Sequence, residues 1–182
     1  MSLEDGADAA GRARLRAVAH PVRLDLLSLL TGAELSAAEA ARELGITQAN
    51  ASYHLRVLRA AGLVEVAGRE RVNGGLAVRY RHPWDAPEPA GPADPGAMLA
   101  QVQTMADAIP RRFAHRRRST PGVFCDADLW VAPEVWEQVC RLVGEASRLV
   151  HANARPPRTT DTVRGNLSIA AFRMSTTPEE SR

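Results

Sequence analysis

The chain has 182 residues, 45% of them hydrophobic and only 4% aromatic, with a formal net charge of +2 at pH 7. That length gives one or two small domains with enough chain for a proper core, and so small a net charge excludes a uniformly basic nucleic-acid coat. Two cysteines far apart in the sequence exclude a disulfide framework and point to a reducing cytoplasm, and no apolar stretch approaches the ~20 residues of a membrane span.

Taken in order, residues 1–11 are acidic and small, unlike a signal peptide, and read as a mobile leader. A first domain is expected over residues 12–83. It opens with two helices between Arg12 and Leu30, broken at His20-Pro21, with Leu15, Val18, Val22, Leu26, Leu27, Leu29 and Leu30 facing a core. Beside Pro21, His20 reads as a helix-initiating or packing residue rather than a ligand. Ser36 then precedes AAEAARELG with Glu39 three residues on, the pattern of a capping box. Ala40, Ala41 and Leu44 form the inward face of that helix, and Gly45 supplies a sharp turn into Ile46 and Thr47.

Thr47 is a good N-cap, because its hydroxyl can accept from an unpaired amide of the first turn. Ala51, Leu55, Leu58 and Ala61 follow at three- and four-residue spacing, one apolar stripe of a helix that Gly62 ends. The other face carries Gln48, Ser52, Tyr53, Arg56 and Arg59, all able to donate hydrogen bonds. Two helices joined by a tight glycine turn form a helix-turn-helix, whose second helix enters the major groove. Leu63–Val66 and Leu76–Arg81 flank the turn signal Asn73-Gly74-Gly75, which predicts a hairpin carrying Arg69, Arg71, Arg79 and Arg81 as a basic wing. From Ile46 to His82 six Arg stand against two Glu, whereas twelve Arg balance twelve acids from Asp85 onward. Phosphate contact needs that local concentration.

These residues carry a resemblance. LRAVAHPVRLDLLSLL, LSAAEAARELGITQANASYHLRVLRAAGLVEV and a glycine-rich hairpin ending in Tyr80 resemble the ArsR family of winged-helix bacterial repressors over Arg12–His82. The resemblance implies repression by promoter occupancy. Family members that sense metal carry a Cys-x-Cys pair on the first helix of the helix-turn-helix; here that helix has no cysteine, so metal sensing is not carried over.

Residues 84–96 are proline-rich and read as a linker. The second unit, 97–174, starts with a helix whose Leu99, Val102, Met105, Ala106 and Ile109 share a face, with a kink at Pro110. The run Arg111–Arg118 reads as a solvated helix end. Val123–Val131 alternates as a strand, Pro133 opens a helix of some five turns, and Val163–Met174 alternates as a final strand. Residues 175–182 read as a polar tail. Cys125 and Cys140, among apolar neighbours, read as buried small hydrophobes. Asp126, Asp128, His115 and His151 match no closed metal motif.

The expected fold is mainly α with small β: a winged helix-turn-helix domain followed by a small α/β dimerisation or effector unit. The expected function is a cytoplasmic, homodimeric repressor on a palindromic operator in double-stranded DNA, with no enzyme motif, cofactor, metal or membrane partner, and with an unidentified small-molecule or protein effector. Gln48 and Ser52 are placed to reach base edges, and Thr47 and Asn50 of the same first turn belong to the DNA-binding set. Tyr53 and Arg56 reach bases or phosphates, and Arg59, Arg69, Arg71 and Arg79 reach phosphates. A protein-interaction module or anti-activator that retains the winged helix is the competing reading.

Overall fold

The computed structural model describes residues 3–72, 75–86, 95–120 and 122–175, with side chains from residue 11 onward. The elements among them are α1 (Leu3–Val18), α2 (Pro21–Thr31), β1 (Leu35–Ser36), α3 (Ala37–Leu44), α4 (Gln48–Ala60), β2 (Glu65–Val72), β3 (Gly75–Arg81), α5 (Pro95–Phe113) and α6 (Pro133–Ala152). The leader expected over residues 1–11 is therefore helical from Leu3 onward. Its small, alanine-rich composition favours a helix once α1 has α5 to pack on.

The chain breaks between α1 and α2 for a local reason. His20 is the extended N-cap of α2 and Pro21 occupies its first position, where a missing N–H costs nothing. Arg23 reaches back and donates to the carbonyls of Ala17 and Arg16 in the last turn of α1. The capping box of α3 forms as expected: Ser36 Oγ accepts from the Glu39 amide at 3.3 Å, and the Glu39 carboxylate accepts from the Ser36 amide at 2.8 Å. That amide, first, and then the Ser36 hydroxyl and Arg79 hold the Glu39 carboxyl below its ordinary value against the opposing cost of burial. Gly45, at φ +66°, ends α3 in the left-handed conformation that glycine adopts without strain.

The sheet is antiparallel with the order β1-β3-β2. β3 pairs Tyr80 with both Leu35 and Val66, and a bulge lies between Val66 and Gly68. β1 was not expected, since two residues show no periodicity. The Asn73-Gly74 turn lies outside the described residues.

Leu26, Leu30, Leu55 and Leu58 are the largest fully buried side chains, joined in one cluster by Ala17, Val18, Leu27, Ala40, Leu63 and Val64. Beside this cluster the rings of His20 and His54 stack with centroids 4.5 Å apart. His54 is only 5% exposed, and the Nδ1 atoms of both rings are buried with no hydrogen-bond partner among the described residues. Burial, reinforced by the nearby Arg23 guanidinium, pulls both imidazoles below their ordinary pKa of 6.5; for His54 the His20 ring adds to this.

Beyond Arg81 the described residues contain no strand. Val123–Val131 and Val163–Met174 alternate as strands should, yet neither is paired, so the expected α/β unit is two helices and irregular chain. Alternation satisfies side chains, but a strand also needs a neighbouring backbone. Cys125 and Cys140 are exposed, not buried. α5 runs through Pro110 and packs on α1 and α2; its buried residues are Ala97 and Ala108, while Leu99, Val102 and Ile109 are exposed. Residues 87–94 of the linker and 176–182 of the tail lie outside the described residues, while Trp84 at the linker's start sets its ring against His151, centroids 5.6 Å apart. No helix among the described residues is long and apolar enough to cross a membrane.

Two stability measurements check this core. Leu55→Ala leaves a cavity at the centre of the cluster and is expected to lower the unfolding free energy by about 2–5 kcal/mol in urea titration. The histidines predict acid sensitivity. Their folded-state pKa lies below 6.5, so between the two values the unfolded chain binds more protons and stability falls as pH drops through 6.5. The urea midpoint should decline from about pH 7.5 to 5.5, with a smaller decline in His54→Leu. Equal declines in the two proteins would remove the histidine pair as the cause.

Candidate nucleic-acid interface

α4 is placed by its apolar back. Ala51, Leu55 and Leu58 are fully buried, which fixes the helix's rotation about its own axis and turns the polar face to solvent. Thr47 caps it, its Oγ1 accepting from the Asn50 amide at 3.2 Å. At the other end Gly62 turns the chain at φ +67°, and the Arg14 guanidinium donates to the Gly62 carbonyl at 3.0 Å, fastening α1 across the helix terminus.

Thr47, Gln48, Asn50, Tyr53, Arg56 and Arg59 are all exposed, and Ser52 is half-buried. Tyr53 is 54% exposed although its ring meets the His54 ring edge-on at 5.1 Å. The buried His54 thus braces an exposed neighbour from behind. Arg56 Nε donates to the Ser52 carbonyl at 3.3 Å, which keeps the guanidinium along the helix surface. Thr47 spends its hydroxyl on the cap, so the side chains available to a ligand on the first turn are Gln48 and Asn50. Ala49, exposed between them, shares this surface and was missed in sequence; its methyl offers no hydrogen bond to signal the role, although alanine suits contact with a thymine methyl.

The wing separates its arginines into two kinds. Arg69 and Arg71 are exposed, with no partner among the described residues. Arg79, expected to touch phosphate, is committed elsewhere: its guanidinium pairs with Glu39 at 3.3 Å and Glu70 at 3.0 Å and donates to the Glu34 carbonyl. Three acceptors around one half-buried cation neutralise it and weld β3 to the start of α3. Arg81 is likewise paired with Glu65 at 2.5 Å. Within the wing the free positive charge is narrower than the sequence implied, resting on Arg69 and Arg71.

Among the described residues no three His, Cys, Asp or Glu side chains gather as a metal site. The arrangement presents hydrogen-bond donors and guanidinium groups on a helix beside a two-stranded ribbon, suited to base edges and phosphates.

Comparison with protein families matches residues 18–67 to the helix-turn-helix domain family. No curated protein matches the sequence. Solved structures similar to this chain include NolR from Sinorhizobium fredii, 24% identical over 62% of this chain and 94% of its own, with a TM-score of 0.36. Another is the homodimeric winged helix-turn-helix DNA-binding domain of Mb0332 from Mycobacterium bovis, described as a possible ArsR-family transcriptional regulator. It is 28% identical over 64% of this chain and 97% of its own, with a TM-score of 0.37. HlyU from Vibrio cholerae is 23% identical over 63% of this chain and all of its own, with a TM-score of 0.34. The match over residues 18–67 spans α2 through the start of β2, so the winged helix with its exposed α4 carries a helix-turn-helix domain, the module of DNA-binding transcriptional regulators.

Proposed function

We propose that this protein is a cytoplasmic homodimeric repressor that occupies a palindromic operator. The observation that carries the reading is the donor-rich face of α4, held rigid from behind and standing beside the unpaired Arg69 and Arg71. Gln48, Asn50 and Ser52 read base edges, with Gln48 bidentate to adenine. Tyr53, Arg56, Arg59, Arg69 and Arg71 grip the flanking backbone and set the register. Arg79 holds the wing together and makes no DNA contact.

One recognition helix offers few contacts against a genome of competing sites, so two copies are needed, about 34 Å apart on successive major grooves. The seam that pairs them lies on α5. Leu99, Val102, Ala106, Ile109 and Phe113 recur at alternating three- and four-residue spacing, and all are exposed in the single chain. That repeat is the one with which two helices bury a shared stripe. Occupancy of the operator blocks polymerase. An effector, small molecule or protein, would act on the half beyond the linker.

The tests are direct. Selection from random duplexes should return a motif with two-fold symmetry and half-sites about one turn apart. A single asymmetric half-site would count against the dimer, and salt-insensitive binding against DNA as the ligand, because phosphate contact releases counterions. On the selected site Gln48→Ala should lose about 1–3 kcal/mol of discrimination at one base pair, while Arg71→Ala should weaken all sequences alike and lower the salt slope by about one. Arg79→Ala should reduce stability and leave that slope unchanged. The pair Val102→Asp and Ile109→Asp should sediment as a monomer and bind the operator at least tenfold more weakly.

A further inference from the structure

Past Ala108 no described residue is buried. Within that half, Val123–Val131 and Val163–Met174 each alternate in sequence as strands, yet no backbone hydrogen bond joins either of them to any described residue. Set antiparallel with Cys125 opposite Leu167, the two complement each other. Val123 then faces Ile169 and Leu129 faces Val163 on one side, while Asp126 faces Asn166 and Asp128 faces Arg164 on the other. Pairing Val123–Val131 with its own copy about Ala127 would instead oppose Asp126 to Asp128, and like charges directly opposite destabilise a ladder.

Within one chain the two segments meet neighbouring residues at the end of α5, Phe113 and Arg112, and not each other. Phe124 rests edge-on against Phe113, on the outward seam, with centroids 5.9 Å apart. Asn166 accepts from Arg112 at 3.2 Å, and Arg112 turns the other way to pair with Asp25 of α2 at 2.8 Å. A second copy seated on the α5 seam arrives on the side where Val123–Val131 lies. The apolar surface left open is of the size a partner would cover. Phe124 and Trp130 are 78% and 89% exposed, and Val123, Leu129, Leu167 and Phe172 are exposed with them. At about 150–250 Å² per buried aromatic, these side chains supply much of the roughly 800 Å² per partner found in stable interfaces.

We infer that in the dimer the segment Val123–Val131 of each copy pairs as an antiparallel strand with Val163–Met174 of the other. This rests on the homodimer proposed above, and it gives the exchanged arms the backbone partners that one chain does not supply. The test uses the full chain carrying Cys140→Ser and Leu167→Cys, so that the only thiols stand at the two facing positions. Mild oxidation should link it into a covalent dimer on a non-reducing gel, with the bridge between positions 125 and 167 identified by peptide mass, and Cys140→Ser alone should not be linked. An intrachain bridge would place the pairing within one copy and overturn the exchange. Equal linkage of Cys140→Ser alone would show that Cys125 meets Cys125 of the other copy rather than position 167 and would overturn the exchange, and no linkage would remove the pairing altogether. Sedimentation of the reduced protein separates the two readings: a dimer that forms no 125–167 bridge retains the α5 seam and sinks only the exchange, whereas a monomer sinks both.

Discussion

The structure depends on one apolar contact, in which Leu55 and Leu58 of α4 share a fully buried cluster with Leu26 and Leu30 of α2. Burying side chains of this size is worth about 1.5–3 kcal/mol each, more than any exposed ion pair in the molecule can contribute. The contact also has direction. With Ala51, Leu55 and Leu58 held inward, a helix of fixed pitch has no freedom left to choose its outward face. The polar surface that α4 turns outward is thus determined from the opposite side of the same helix. The cap at Thr47 and the turn at Gly62 set its length.

Charge performs a different task on each side of this frame. Arg79 and Glu39 are partly withdrawn from water, and Glu39 serves at once the Ser36 amide, the Ser36 hydroxyl and Arg79. The capping box of α3 and the anchoring of β3 therefore share one carboxylate, which couples the first helix of the helix-turn-helix to the wing. Arg69 and Arg71 have no such partner among the described residues, and their charge is available to a ligand. Residue type does not separate the two groups, since all four wing arginines are chemically alike. Acceptors at hand decide the difference.

The C-terminal half follows another logic. α6 has a strongly sided sequence, yet none of its residues is buried. A helix is stabilised in proteins mainly by packing of its apolar face, so a twenty-residue helix without an interior is a surface awaiting its other half. α5 packs on α1 and α2, and beyond it the attachments to the first domain among the described residues include the Trp84–His151 ring contact and two ion pairs, Arg112 with Asp25 and Arg158 with Glu43 of α3. These tether the half to the winged helix without giving it a core. Exposed ion pairs of this kind hold position weakly.

What the sequence determined by itself is the part governed by local chemistry. Ser36 with Glu39, Thr47, Gly45, Gly62 and Pro21 each act on atoms within a few residues, so the helix boundaries from residue 21 to residue 62 and the exposed face of α4 were legible. Periods of three and four residues placed the core leucines for the same reason. Tertiary structure decided what depends on a distant partner. Arg79 became a structural cation because the Glu39 carboxylate of α3, the Glu70 carboxylate of β2 and the Glu34 carbonyl before β1 converge on it. Histidine 54, with no ligand spacing in sequence, became a buried ring because His20 lies against it. Two alternating segments did not become strands, because a ladder needs a second backbone, and α5 packs on α1 and α2 with Ala97 and Ala108 buried while its larger Leu99, Val102 and Ile109 stay exposed. Pattern along the chain specifies which face a side chain shares; only the neighbours brought together by folding specify what that face meets.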